Sequence, residues 1–158
     1  MTIRIRTARK DEARALTELS RRSKAYWGYD NAFLEACADE LYIGPAALDD
    51  MNQTWRVATE ADSIAGVYGL APVNAETVEL AALFVEPGAI GKGIGRRLVD
   101  DALHRAQADG FQRMLIQGDP NAEGFYKAMG ARRTGERESG SIRGRFLPLF
   151  ELEIPTST

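Results

Sequence analysis

Ile3, Ile5 and Thr7 alternate with Arg4 and Arg6 at the start of the chain, the period of two that marks a half-buried strand. After Asp11 the period lengthens, and Ala15, Leu16 and Leu19 form the apolar side of a helix. Between Ser23 and Met51 the pattern is irregular. Aromatics recur at Tyr26, Trp27, Tyr29, Phe33 and Tyr42, and Gly44-Pro45 interrupts any continuous helix, which predicts one or two short helices capping the rest. Three strand-like runs follow, over residues 54–59, 64–70 and 77–85, and their short polar links predict an antiparallel meander.

Past Val85 the chain reads Glu86-Pro87-Gly88-Ala89-Ile90-Gly91-Lys92-Gly93-Ile94-Gly95, too rich in glycine for regular structure. A long helix starts where this segment ends. Ile94, Leu98, Ala102 and Ala106, widened by Val99 and Leu103, make its buried stripe, and Gly110 closes it. Residues 111–117 read as a buried strand, 121–129 as a short helix stopped by Gly130, and Phe150, Leu152 and Ile154 as a last strand. Residues 135–144 read as a flexible surface loop. Because the strand over 77–85 reaches the strand over 111–117 through a helix, that pair is expected to be parallel within a mixed α+β fold. With no repeat and no linker, residues 1–158 are expected to form a single domain.

The 158 residues are 44% hydrophobic, enough for a core without metal or disulfide staples. A net charge of -3 argues against non-specific binding of nucleic acid. No apolar run approaches the roughly 20 residues that span a bilayer, and the single cysteine, Cys37, reads as a small buried hydrophobe in a reducing compartment. A soluble cytoplasmic protein without a membrane partner is the expectation.

A strand, a glycine-rich turn and a helix N-terminus converge after Val85, where unpaired backbone N–H groups and the helix dipole favour an anion. Lys92, Arg96 and Arg97 add positive charge, so a phosphate is the expected guest. A Walker loop requires Ser or Thr after Gly-Lys, and Gly93 stands there; a dinucleotide fingerprint requires a third glycine where Arg96 stands. Instead, Leu83-Phe84-Val85-Glu86-Pro87 followed by Gly93-Ile94-Gly95 resembles the pyrophosphate loop of the GNAT superfamily of N-acetyltransferases, with Ile90 departing from the usual Gln or Arg. Downstream, Asp119-Pro120-Asn121-Ala122-Glu123-Gly124-Phe125-Tyr126 and Gly130 resemble the second motif of that superfamily, with Asp119 at the usual Asn place. The resemblance follows element order over about residues 3–154 and is specific across 79–131.

The resemblance implies a central mixed, mostly antiparallel sheet of about six to seven strands with helices on both faces. It further implies acetyl-CoA as acyl donor, no metal, and direct transfer to a primary amine, small or peptidyl. A catalytically silent acyl-CoA-binding or regulatory module is the alternative, and a homodimer is compatible with either. Coenzyme contacts then fall on Leu83, Phe84 and Val85 of the strand and on Ile90, Gly91, Lys92, Gly93, Ile94, Gly95 and Arg96 of the loop. Asp119, Asn121, Ala122, Phe125 and Tyr126 complete them.

Freeing the lone pair of a lysine-like amine of pKa about 10.4 costs roughly 4 to 5 kcal/mol at neutral pH, so a base is needed. Glu79, six residues before Val85, has the spacing of the catalytic glutamate in histone-acetylating members. Strict alternation puts it on one face with Ala81, Leu83 and Val85, opposite Val78, Leu80, Ala82 and Phe84. From spacing alone Tyr126 reads as packing, beside the stripe of Ala122, Phe125 and Met129; the resemblance makes it the acid that protonates the coenzyme thiolate. His104 falls on the polar side of the long helix and is expected to be a surface residue.

Charge is unevenly distributed. From Ala25 to Trp55 there is no Lys or Arg, while Asp30, Glu35, Asp39, Glu40, Asp49 and Asp50 contribute -6, leaving +3 for the remainder. A cationic amine is therefore expected at an acceptor pocket shaped by Trp27, Tyr29, Asp30 and Glu35.

Overall fold

The computed structural model describes residues 2–155. Seven strands form one sheet in the order β1-β2-β3-β4-β5-β7-β6. They are β1 (Ile3–Thr7), β2 (Thr54–Glu60), β3 (Ser63–Pro72), β4 (Thr77–Val85), β5 (Arg113–Gln117), β6 (Arg132–Glu138) and β7 (Phe146–Glu153). Every pairing is antiparallel except β4 with β5, the pair whose connection runs through a helix. Among the described residues six α-helices accompany the sheet: α1 (Ala13–Ala25), α2 (Asn31–Ala36), α3 (Ala38–Leu41), α4 (Pro45–Leu48), α5 (Ile94–Ala108) and α6 (Glu123–Ala128).

Both faces of the sheet are covered. The α5 stripe of Ile94, Leu98, Val99, Ala102 and Ala106 is buried against Tyr68, Leu70, Val78, Leu80, Met114 and Ile116. On the opposite face, Leu16 and Leu19 of α1 bury Val57 and Val67; Ala15 faces solvent, and Ser20 takes the place expected for it at the interface. Asp101 of α5 bonds Arg56 Nε at 2.7 Å and the Tyr68 hydroxyl at 2.6 Å, tying the helix to β2 and β3.

Two features depart from the sequence reading. Residues 135–138 of the expected loop 135–144 belong instead to the edge strand β6, every residue of which is exposed. A strand that packs nothing on either face carries no alternation of polarity, so Arg132-Arg133-Thr134-Gly135-Glu136-Arg137-Glu138 gave no periodic signal. Its charges suit an edge, where they discourage pairing with other chains.

The second departure lies in β4. Leu70 pairs with Leu80 and Gly69 with Ala82, so Ala81 is an extra residue, a β-bulge. The bulge resets the alternation. Val78 and Leu80 share the α5-side core with Leu83 and Val85, whereas Phe84 packs on the α1 side. Glu79 therefore shares a face with Ala82 and Phe84, not with Leu83 and Val85 as strict alternation predicts.

Candidate active site

β4 and β5 part company halfway along their length. Their parallel ladder ends at Leu80 and Ile116, because β4 stays on β3 as far as Val85 while β5 stays on β7, with the Gly118 N–H bonded to Pro148 O at 3.0 Å. A cleft of about 740 Å³ opens between them. Its walls come from β4 between Glu79 and Val85, the loop and first turn of α5, the end of β5 with α6, and α1 and α3.

The N–H groups of β4 face this cleft in a definite pattern. The Val85 N–H donates to Ser23 Oγ at 3.3 Å, away from β3, while the Glu86 N–H returns to Ala65 O at 2.8 Å. Because N–H direction alternates along a strand, the Leu83 N–H two residues earlier is aimed into the same gap. Main-chain donors thus point to where β5 has left.

At the far end, the loop builds an anion cradle. Gly91 and Gly93 have φ of +92° and +77°, conformations that strain an L-residue, and a Cβ on either would meet nothing, so conformation and not crowding selects glycine there. Gly93 precedes the 15-residue α5, whose first N–H groups lack intrahelical acceptors. Gly95 lies against Phe125, which a Cβ would approach to 3.3 Å, so the cradle is backed by α6. Arg96 lines the cleft, whereas the Lys92 ammonium lies outside it, bound to Glu60 at 2.9 Å. A diphosphate with a long flexible arm fits this shape: donors without side-chain obstruction at one end, and a narrow strip of edge N–H groups leading away.

Tyr126 of α6 lines the cleft. It is only 7% exposed, its ring packs 5.3 Å from Phe125 and 5.4 Å from Phe150, and its hydroxyl makes no hydrogen bond within the described residues. Burial, reinforced by the nearby Asp119 charge, pushes its pKa well above the usual tyrosine value, so the phenol keeps its proton. Gly118 permits this placement, because a Cβ there would come within 2.8 Å of Tyr126 Cε2 and 3.2 Å of Phe150 Cε2, two rigid rings. Gly118→Ala is accordingly expected to cost about 1–3 kcal/mol and to shift the Tyr126 ring; a thermal melt alongside the kcat of the variant checks it, with both expected to fall.

Asp119 anchors the same wall. Its carboxylate accepts from Lys24 Nζ at 2.7 Å, Tyr29 OH at 3.0 Å and the Asn121 N–H at 2.8 Å, and Arg145 Nη2 is 3.5 Å away. Burial opposes its charge, but the Lys24 and Asn121 hydrogen bonds prevail and hold it below the ordinary carboxylate range. Arg145 donates to the Tyr29 hydroxyl at 2.9 Å and lies over the stacked rings of Tyr29 and Phe33. The sequence gives no sign of this role for Lys24 and Arg145, since they lie 95 and 26 residues from Asp119 and only the fold brings them together.

Of the residues expected at the acceptor, Trp27 lines the cleft. Tyr29 stands behind Asp119. Asp30 caps α2 through the Phe33 N–H at 2.9 Å, and Glu35 bonds Arg21 at 2.7 Å on the surface, so neither carboxylate reaches the cleft. The local reason is that a helix N-cap and an exposed ion pair already hold both groups. Glu79, Glu40 and Tyr26 do line it. Ile90, Gly91, Ile94, Asn121, Ala122 and Phe125 line it with the β4 residues Leu83, Phe84 and Val85. His104 is exposed, its Nδ1 at 2.8 Å from Asp100 O, and Cys37 is fully buried, where loss of solvent pushes its thiol up to about 11. Among the described residues no group of His, Cys, Asp and Glu could hold a metal ion, and no helix is long and apolar enough to cross a membrane.

Known proteins share this fold. The chain is 32% identical to the peptidyl-lysine N-acetyltransferase YjaB of Salmonella typhimurium over 98% of its own length and 100% of that protein. It is 37% identical to the mycothiol acetyltransferase of Rhodococcus opacus over 63% of this chain and 30% of that one. In fold it is similar to the PaiA N-acetyltransferase of Thermoplasma acidophilum in complex with coenzyme A, with a TM-score of 0.78 at 19% identity, covering 97% of this chain and 99% of that chain. Residues 13–131, from the start of α1 through the loop and α6, match the model of the acetyltransferase (GNAT) family. The chain belongs to that family and is an acetyl-CoA-dependent N-acetyltransferase.

Proposed function

We propose that this protein transfers acetyl directly to a primary amine, with Glu79 as base, Tyr126 as acid and the β4 backbone holding the acyl and pantetheine carbonyls. The observation that carries this reading is the parting of β4 from β5 at Leu80, which leaves Glu79 at the root of the cleft and main-chain donors along one wall. Acetyl-CoA supplies the activated acetyl group. Gly91, Gly93, Ile94, Gly95 and Arg96 would hold its pyrophosphate, and Leu83, Val85 and Asn121 its arm. Glu79, half-buried on the α1 side of β4, takes a proton from the acceptor ammonium directly or through water. The Leu83 N–H, about 10 Å along the strand from Glu79 because the bulge makes four residues of β4 span three of β3, lies nearer the amine end than the Val85 N–H and is the donor to the acetyl oxygen. Tyr126 holds a proton at its hydroxyl for the sulfur.

The acceptor is an amine, as in the one relative above that is named for lysine. The full-length match to a peptidyl-lysine N-acetyltransferase favours a lysine side chain among such amines. Release of free thiol from acetyl-CoA should depend on added amine, and Glu79→Gln should lower kcat/KM roughly a hundredfold near neutral pH. That deficit should shrink by about tenfold per pH unit toward the amine pKa, because the acceptor then arrives already neutral. A deficit constant with pH would remove Glu79 from the role of base.

A further inference from the structure

We propose that Glu40 selects acceptors bearing a second positive charge, beyond the amine that reacts. The proposal rests on the reading of Glu79 and the cleft given above. Three carboxylates line the cleft, those of Glu40, Glu79 and Asp119. Asp119 is fully engaged, with Lys24 at 2.7 Å, Arg145 at 3.5 Å, and Tyr29 and Asn121 as further donors. Among the described residues neither Glu40 nor Glu79 has a cationic group within 4.0 Å, while Glu35 and Asp49 on the same acidic segment both do. The basic side chains lining the cleft are Lys24, turned onto Asp119, and Arg96, in the first turn of α5 at the phosphate end. If Glu79 handles the reacting amine, Glu40 is a carboxylate left without a counter-charge at the acceptor end.

Glu40 has an exposed side chain on a backbone that is held in place. It lies between Cys37 and Leu41, which are 0% and 2% exposed, and the Ser20 hydroxyl donates to the Leu41 carbonyl, so α3 is pinned to α1. Across the cleft mouth, Tyr26 and Trp27 stay 53% and 43% exposed with their rings edge-to-face at 5.5 Å. Large aromatics left open on the same cleft as a carboxylate with no cation within 4.0 Å offer a bound cation both a π face and a counter-charge. The segment from Ala25 to Trp55, which supplies this wall, has no Lys or Arg to repel it. The chemistry recognised is an ammonium or guanidinium a few bonds from the reacting amine, either in a free diamine or in a lysyl peptide with a basic neighbour.

Two matched pairs of acceptors test this: 1,5-diaminopentane against pentylamine, and an N-terminally blocked peptide with adjacent lysines against one with norleucine as the second residue. In at least one pair the dication should show about a five- to tenfold higher kcat/KM, carried by KM. Glu40→Gln should bring that ratio close to one. Preference in the first pair alone identifies a small polyamine, and in the second alone a lysyl peptide; either supports the proposal. Equal kcat/KM within both pairs for the unaltered protein, or a ratio kept in Glu40→Gln, overturns it while leaving the amine transfer intact. A protein that binds coenzyme A in calorimetry yet releases thiol with none of the four acceptors overturns this proposal and the reading beneath it together.

Discussion

Tyr126→Phe is expected to lower kcat by about 10²–10⁴-fold while the protein melts within about 1 kcal/mol of the original. The two halves of this expectation come from one observation. The hydroxyl has no partner among the described residues, so removing it strands no donor or acceptor, and the ring that packs against Phe125 and Phe150 is kept. What disappears is the proton. Burial and the Asp119 charge keep the phenol protonated through neutral and mildly alkaline pH, so it can donate throughout the range in which the amine is free to attack. Single-turnover thiol release, compared with the melt of the same sample, separates a lost acid from a damaged core. A variant retaining full kcat would return Tyr126 to the packing role that its spacing alone suggests.

Asp119→Ala should have the largest effect on stability, about 3–5 kcal/mol, or on the order of 10 °C in Tm. Lys24 and Arg145, with side chains 12% and 17% exposed, would be left facing each other without the anion that both address. The loss is one of compensation more than of a favourable pair, because desolvating the ions already opposes much of their attraction. A double variant, Asp119→Asn with Lys24→Met, removes the shorter ion pair whole and should recover part of the deficit, the remainder belonging to Arg145, which still lacks its anion. The sign with pH also follows. A carboxyl held below its ordinary value of 3.8 contributes stability above that value and loses it as pH falls through the folded-state pKa, so the gap between the protein and Asp119→Ala should close below about pH 4. A gap that persisted into strong acid would mean that the lost packing of Asp119, and not its charge, held the wall.

The superfamily motif normally carries Asn where this chain has Asp119, and the structure supplies a reason for the exchange. Lys24, from α1, stands opposite at 2.7 Å. An amide would leave that ammonium buried without a counter-charge. The departure and its partner therefore belong together, although 95 residues separate them in the chain.

How far the sequence could be read depended on whether a residue's surroundings are made by its neighbours in the chain. The α5 stripe announced itself because one face of a long helix is buried along its whole length, and the element order around it left one parallel crossover. The loop was legible for a related reason: glycines at positive φ and a helix start are local facts, settled within ten residues. Glu79 was legible as a position but not as a direction, since one unpaired residue, Ala81, turned the strand over between it and Leu83. Nothing in the composition of β4 marks that bulge, which depends on the register with β3.

The acidic segment from Ala25 to Trp55 shows the same division. Its charge was visible at once; which of its carboxylates reaches the cleft was not. Asp30 is taken by the end of a helix and Glu35 by Arg21, and of the six carboxylates of the segment it is the exposed Glu40 that lines the cleft, on a helix anchored by the burial of Cys37 and Leu41. By itself the sequence determined the helices with a continuous apolar face and the glycine-rich turn before α5, because periodicity and backbone conformation are properties of short stretches, while the class of cofactor rested on the resemblance of two motifs to a known family. Only the tertiary structure decided the edge strand β6, the facing of Glu79 and the Asp119 cluster, because each is fixed by pairing or ion contact between segments far apart in the chain, where free energy depends on distances that no local pattern encodes.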